Sequence, residues 1–365
     1  MTTNSPPYSF QPNPETYRRM DRYRLAQRDM LDLAGFGPQE SPYTILYSEP
    51  GLNVRRYGKP GNDGPVLLVV PAPIKRPYIW DIAPDNSVIR RCLAEGMQVY
   101  LAEWTQVASA EHPFGLADYA DTLMSRCVEV VHANSGGFGP SGRLTVAGHS
   151  LGGLLASMYA SLHPEHVSAL VLLESPLHFG ANAGSFAPLV ASVPDTRPMA
   201  EAFGDVPGSF LNSVSAAAAP HAFQLERFLD RCLCSGDPQA FKTHMRVERW
   251  TCDEFPLPGR LFHEIVEQLY RNDQFMQGTL PVGGRTIGPA DLKAALLCVV
   301  DPRSTVIPPS SVVPFHEASA SRNKHLLWYE GDTGVAIQHV GVLVGRSAHA
   351  SLWPQIFEWI AKVNR

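Results

Sequence analysis

Val146-Ala147-Gly148-His149-Ser150-Leu151-Gly152-Gly153 sets a serine between two glycines where an apolar run gives way to an alanine-rich helical pattern. The spacing predicts a nucleophile elbow. In such a turn the strand stops, the serine backbone is strained so that its hydroxyl stands above the sheet edge, and a helix leaves at once. Glycines two residues either side let strand and helix approach closely. The context agrees: Leu144 to Ala147 read as a short buried strand, and Leu151 to Leu162 carry helical apolar spacing that stops before Pro164. The plainer reading of the same residues is a tight turn whose serine only caps the helix.

Working outward, Pro7, Pro12 and Pro14 punctuate a polar arm before a helical segment from Glu15 to Leu33. Tyr43 to Tyr47 and Leu52 to Tyr57 flank the turn signal Glu49-Pro50-Gly51, which predicts an antiparallel hairpin. Strand signals follow at Val66–Val70, Gln98–Glu103, Leu144–Ala147, Ala169–Leu173, Ala295–Val300 and Leu326–Tyr329. Helical patterns at Ser87–Glu95, Leu116–Asn134, Leu151–Leu162 and Leu352–Val363 alternate with them. A hairpin feeding strands that alternate with helices implies a mostly parallel sheet covered on both faces, the α/β-hydrolase layout.

The alternation breaks between Pro176 and Leu292, where helical segments (Ala222–Cys232, Pro238–Trp250, Arg260–Asn272), prolines and the run Ala216–Ala219 lie between two sheet strands. An insertion there would sit over the carboxyl ends of the strands, where ligands bind in such sheets. The expected organisation is therefore an arm and helix over 1–40, core over 41–176 and 293–365, and a helical cap over 177–292. A helical insertion with no gating role fits the same pattern.

The bulk properties narrow the function. At 365 residues the chain suits an α/β enzyme domain with an insertion. Thirty Lys+Arg against 35 Asp+Glu, a net charge of −5, with no long basic run, argue against a nucleic-acid partner. No apolar segment is long enough to span a bilayer, and Met1 to Arg19 hold no apolar signal core, so a cytoplasmic protein is expected. The six cysteines (Cys92, Cys127, Cys232, Cys234, Cys252, Cys298) are scattered and read as free thiols, several of them buried. Neither metal spacing nor a Gly-rich phosphate loop is present, so no cofactor is expected.

A serine hydroxyl is a poor nucleophile near neutral pH and needs a base, which in turn needs an orienting group. In this fold the order is Ser, acid, His. The base should come from the loop after the last strand, and His339 lies ten residues beyond Tyr329 in the Gly-rich stretch Gly331 to Gly345. His349 is the second choice, and His149 is expected to pack beneath the elbow. For the acid, Asp301, ending the strand Ala295–Val300, ranks ahead of Glu174, ending Ala169–Leu173. The oxyanion hole should combine the N–H of Leu151 with one from Pro71-Ala72-Pro73-Ile74. Proline has no N–H, which leaves Ile74, preferred, or Ala72.

Lys75-Arg76-Pro77-Tyr78-Ile79-Trp80-Asp81 resembles the Asn-Arg-Pro-Tyr-x-x-Asp stretch of polyhydroxyalkanoate synthases. Val99-Tyr100-Leu101-Ala102-Glu103-Trp104, Gly115-Leu116-Ala117-Asp118-Tyr119, Arg126-Cys127-Val128, Arg249-Trp250, Gly283-Gly284-Arg285, Ile307-Pro308-Pro309 and His339-Val340-Gly341-Val342 follow in that family's order, covering roughly residues 40 to 365. The resemblance implies a capped α/β-hydrolase core with acyl chemistry on hydroxyalkanoyl esters or thioesters, a homodimer and association with polyester granules. Two departures stand out. The family's elbow carries cysteine where this chain has Ser150, and its aspartate, counted back from Val-Pro-Pro, falls on Ser304.

These readings lead to a serine esterase acting on carboxylic esters, extending to hydroxyalkanoate oligomers or polyester, through Ser150, His339 and Asp301 or Glu174. An acyltransferase using the same residues is the first alternative. A non-catalytic granule-associated homologue is the second.

Overall fold

Val66 to Val70 is five apolar residues without a polar break, and every one is buried, as a strand covered on both faces requires. The computed structural model of the chain, which describes residues 13–61, 63–139 and 142–364, places this strand near the middle of an eight-stranded sheet. The proline-bearing arm expected over residues 1–12 lies outside the described residues. We number the sheet strands β1 (Tyr43–Glu49), β2 (Leu52–Tyr57), β3 (Val66–Val70), β4 (Gln98–Trp104), β5 (Leu144–His149), β6 (Val167–Leu173), β7 (Ala295–Val300) and β8 (Lys324–Trp328). Their spatial order is β1-β2-β4-β3-β5-β6-β7-β8. β2 pairs antiparallel with β1 and β4, and the other neighbours are parallel. This is the α/β-hydrolase fold.

Alternate residues of each strand feed two cores, one on either face. Val66, Leu68, Val70 and Val146 belong to one cluster, Leu67, Val69 and Ala147 to the other. Helices α2 (Val88–Ala94), α3 (Met124–Asn134) and α4 (Leu151–Leu162) pack against these cores, while α1 (Pro14–Leu33), which buries no residue, packs on helices of the β6–β7 insertion. Their starts are local chemistry. Asn13 caps α1 by accepting the Glu15 N–H at 3.0 Å, and Ser87 caps α2 by accepting that of Arg90 at 2.8 Å. The helical pattern expected from Leu116 to Asn134 opens with a wider π-type turn over Asp118–Leu123 before becoming α3.

Between β6 and β7 the chain adds no strand to the central sheet. It runs through α5 (Gly208–Ala218), α6 (Glu226–Leu233), α7 (Pro238–Thr251) and α8 (Gly259–Glu264), with short paired strands at Asp205–Val206 with Leu257–Pro258 and at Leu280–Val282 with Arg285–Ile287. Neither short pair is legible in the sequence. After β8 a loop and short turns lead into α9 (Trp353–Val363). All six cysteines are free thiols, with only Cys232 exposed. Among the described residues no helix is long and apolar enough to cross a membrane.

Candidate active site

β5 ends at His149, and Ser150 follows with φ 55° and ψ −131°, a backbone conformation L-residues rarely adopt. Two contacts impose it. The Ser150 N–H donates to the Leu173 carbonyl of β6 at 3.1 Å, and α4 begins at Leu151. The serine side chain makes no capping bond to α4, so the turn is an elbow that presents a half-buried hydroxyl. The glycines are needed for closeness: a Cβ on Gly148 would stand 2.4 Å from the Gly153 Cα, and one on Gly152 2.1 Å from the Val70 carbonyl oxygen.

Beyond β8, a short turn at Gln338–Val340 carries His339 back toward the elbow. Its Nδ1 lies 2.9 Å from Oε2 of Glu174, the residue that follows β6. Glu174 is 1% exposed and itself sits at φ 43°, a second strained residue at the same end of the sheet. Asp301, ranked first from strand position, does not take the histidine. It lies buried at the end of neighbouring β7, where Oδ1 accepts the Arg303 N–H at 2.8 Å and turns the carboxylate into its own loop. Asp301 still acts on the site through its charge. Burial pushes the Glu174 carboxyl well above the ordinary range, and Asp301 adds to that rise. Burial also lowers His339 to about 4, leaving a neutral imidazole at neutral pH, the form able to accept a proton.

The other histidines take different places. His149 is buried beneath the elbow, its ring 4.5 Å from that of His339, with Nε2 2.8 Å from the His339 carbonyl oxygen. Burial, and then the adjacent His339, press its pKa well below the usual value, so Nε2–H donates to that carbonyl and steadies the turn. His349 is buried in the turn entering α9, and no carboxylate bonds its ring among the described residues.

For an oxyanion, the Leu151 N–H stands at the first position of α4, where no intrahelical acceptor exists. The approach of Gly152 to Val70 and Pro71 brings the start of the loop after β3 against that helix turn. Ala72 is the first residue past the contact with an N–H. Ile74 lies in the turn that follows, its side chain packed on the core.

Three groups of potential metal ligands have donor atoms within 4.8 Å of one another. In His163, Glu165 and His166 the imidazole planes are nearly parallel, at 10°, so their in-plane lone pairs do not converge. In Asp230, Cys234 and His244 the carboxylate already accepts three hydrogen bonds. In Asp195, His263 and Glu267 the glutamate is held by Arg271 at 2.7 Å.

Motif residues far apart in sequence meet behind the β3 loop. Arg249 of α7 reaches Tyr78, Asp253 and Asp32 of α1, while Trp250 Nε1 donates to the Arg76 carbonyl at 2.8 Å. Lys75 bonds Glu254 and, at 2.9 Å, the Thr251 carbonyl. The loop that supplies Ala72 is thereby tied to the β6–β7 insertion. Asp32 and Asp253 carry no motif signal of their own and were not singled out from sequence.

A family profile described as the alpha/beta hydrolase fold matches residues 65–205. The chain is 27% identical over 361 residues to a poly(3-hydroxyalkanoate) polymerase subunit PhaC of Allochromatium vinosum, covering 97% of this chain and 99% of that one. It is 28% identical to the subunit of the same name from Haloferax mediterranei over 88% of its own length, but spans only 64% of that relative. Among solved structures, a monoacylglycerol lipase of Paleococcus ferrophilus shares the fold with TM-score 0.53 at 14% identity, covering 86% of this chain and 99% of the lipase.

Proposed function

We propose that this chain, a polyhydroxyalkanoate synthase-like α/β hydrolase, is a serine esterase that cleaves carboxylic esters through an acyl-enzyme, with hydroxyalkanoate oligomers or polyester as the substrate class. The observation that carries the reading is the 2.9 Å bond between His339 Nδ1 and Glu174 Oε2, with the His339 ring 4.5 Å from that of His149, the residue before a strained serine whose hydroxyl caps nothing. Glu174 holds the imidazole by Nδ1 and leaves Nε2 to face Ser150.

In the first half-reaction, Ser150 Oγ bonds the acyl carbon as its proton passes to His339 Nε2. The tetrahedral oxyanion takes the N–H groups of Leu151 and Ala72, and Ala72 replaces the Ile74 preferred from sequence because it adjoins the elbow helix. The C–O bond to the leaving alcohol breaks, and that alcohol receives the proton from His339. Water then attacks the acyl-enzyme, giving one proton to Nε2; the proton returns to Ser150 Oγ as the free acid leaves.

The similarity over 97% of this chain and 99% of a polymerase subunit favours a second reading, acyl transfer from a thioester or ester to an alcohol. Serine weighs against it, because its oxoester is a less activated acyl donor than a cysteine thioester.

Labelling with a fluorophosphonate, followed by product analysis with 3-hydroxybutyryl esters and 3-hydroxybutyryl-coenzyme A, tests both. Stoichiometric labelling of Ser150 and release of free acid are expected, both lost in Ser150→Ala, which should fall by several orders of magnitude in turnover. Near-normal activity in Ser150→Ala overturns the assignment. Coenzyme A release with little free acid moves the reading to transfer, and absence of labelling moves it to a non-catalytic homologue.

A further inference from the structure

We infer that Asp230, on α6 of the β6–β7 insertion, is a positioning residue for the loop that delivers His339. The inference rests on the reading of His339 as the base. That loop leaves β8 and bends through the left-handed region at Gly331 (φ 82°), Gly334 (φ 83°) and Ala336 (φ 60°) before reaching His339. Ala336 has a Cβ, so its conformation is strained and persists only where the surroundings hold it.

Two braces hold it. One is within the loop: Gln338 Oε1 accepts the Asp332 N–H at 3.0 Å, and its Nε2 donates to the Asp332 carbonyl at 2.7 Å. The other comes from outside. Asp230 Oδ1 accepts the Gly334 N–H at 2.7 Å, and Oδ2 accepts that of the strained Ala336 at 2.8 Å.

The carboxylate is itself fixed. His244 of α7, fully buried, bonds Asp230 Oδ2 through Nδ1 at 2.8 Å. Burial alone would raise the Asp230 carboxyl, but His244 and the two backbone donors hold it below its ordinary value, so the acceptor is charged and its bonds are strong. Across the loop, a Cβ on Gly334 would come within 2.7 Å of the Ala240 Cβ on α7. The His339 loop is thus seated on the insertion by one carboxylate and one close contact. α6 and α7 form part of the support of the catalytic base, and their position relative to the sheet sets its alignment with Ser150.

Misplacing a reacting group by an ångström can cost about 100-fold in rate, while ground-state binding need not change. Asp230→Ala orphans two buried backbone N–H groups and the buried His244 Nδ1, so kcat for ester cleavage should fall ~10–100-fold with little change in KM, and Ser150 labelling by fluorophosphonate should slow by a similar factor. Asp230→Asn, isosteric and retaining one acceptor oxygen, should fall between wild type and Asp230→Ala. It also decides the matter if Asp230→Ala does not fold. Wild-type labelling rates in either folded variant, or a change in KM with kcat unaltered, would overturn the inference. If wild type itself fails to label at Ser150, the reading of the active site has failed instead, and the two failures are distinct.

Discussion

Glu174→Gln keeps the shape of a side chain that is 1% exposed and removes only its charge. With the carboxylate ionised, the 2.9 Å bond fixes the proton on His339 Nδ1 and, in the proposed mechanism, leaves Nε2 to take the serine proton. A glutamine can turn its NH2 toward Nδ1, which places the ring proton on Nε2, facing Ser150 in the unproductive tautomer. The corresponding carboxylate-to-amide change in a serine protease costs about 10⁴ in kcat, so a fall of ~10²–10⁴ in kcat/KM, ~2.7–5.4 kcal/mol, is expected here. Stability should move the other way. Glu174 is buried, its Oε1 has no hydrogen-bond partner among the described residues, and Asp301 repels its charge, so its folded pKa lies well above its unfolded value. The folded state then binds the extra proton, and stability declines as pH rises from the unfolded carboxylate value, near 4.3, through the folded one. A carboxyl raised in this way by folding costs stability above the unfolded carboxylate value that glutamine does not. The variant should therefore melt at or above the wild-type temperature at pH 7, the difference closing in acid where Glu174 is protonated. The assay pairs kcat/KM on a short-chain ester with thermal melts across pH, using Asp301→Asn as comparison because its Oδ1 can still accept the Arg303 N–H. A near-wild-type Glu174→Gln beside an inactive Asp301→Asn would refute the reasoning and return the acid to β7.

Two further outcomes follow from the same geometry. His339→Ala should be nearly as inactive as Ser150→Ala, because residues acting as one unit are strongly non-additive, while His349→Ala keeps most of its turnover; the reverse pattern in steady-state kinetics moves the base to His349. Ser150→Cys should raise the ratio of acyl transfer to free acid from 3-hydroxybutyryl-coenzyme A, since a thioester intermediate is the more reactive acyl donor; an unchanged ratio in a variant that still forms acyl-enzyme would show that water access, not the nucleophile, decides the outcome.

The elbow at Ser150 was legible because its sequence signals are local: the short strand run Leu144 to Ala147, a glycine on either side of the serine, and a helical period starting at once. The same holds for β3 and β7, whose expected bounds match the observed ones. His339 was reachable by its place after the last strand. Its partner was not. Glu174 and Asp301 end adjacent strands and look alike as sequence, yet only one meets the imidazole, because Glu174 turns through positive φ toward the β8 loop while Asp301 folds onto Arg303. The approach of Pro71 to the Gly152 turn, and of Asp230 to a loop more than a hundred residues further on, were decided in the same way. Apolar period and turn residues report the conformation of a short stretch of backbone. Which buried side chain meets which depends on loop paths and on the closeness of helices far apart in the chain, and only the assembled tertiary structure contains those distances.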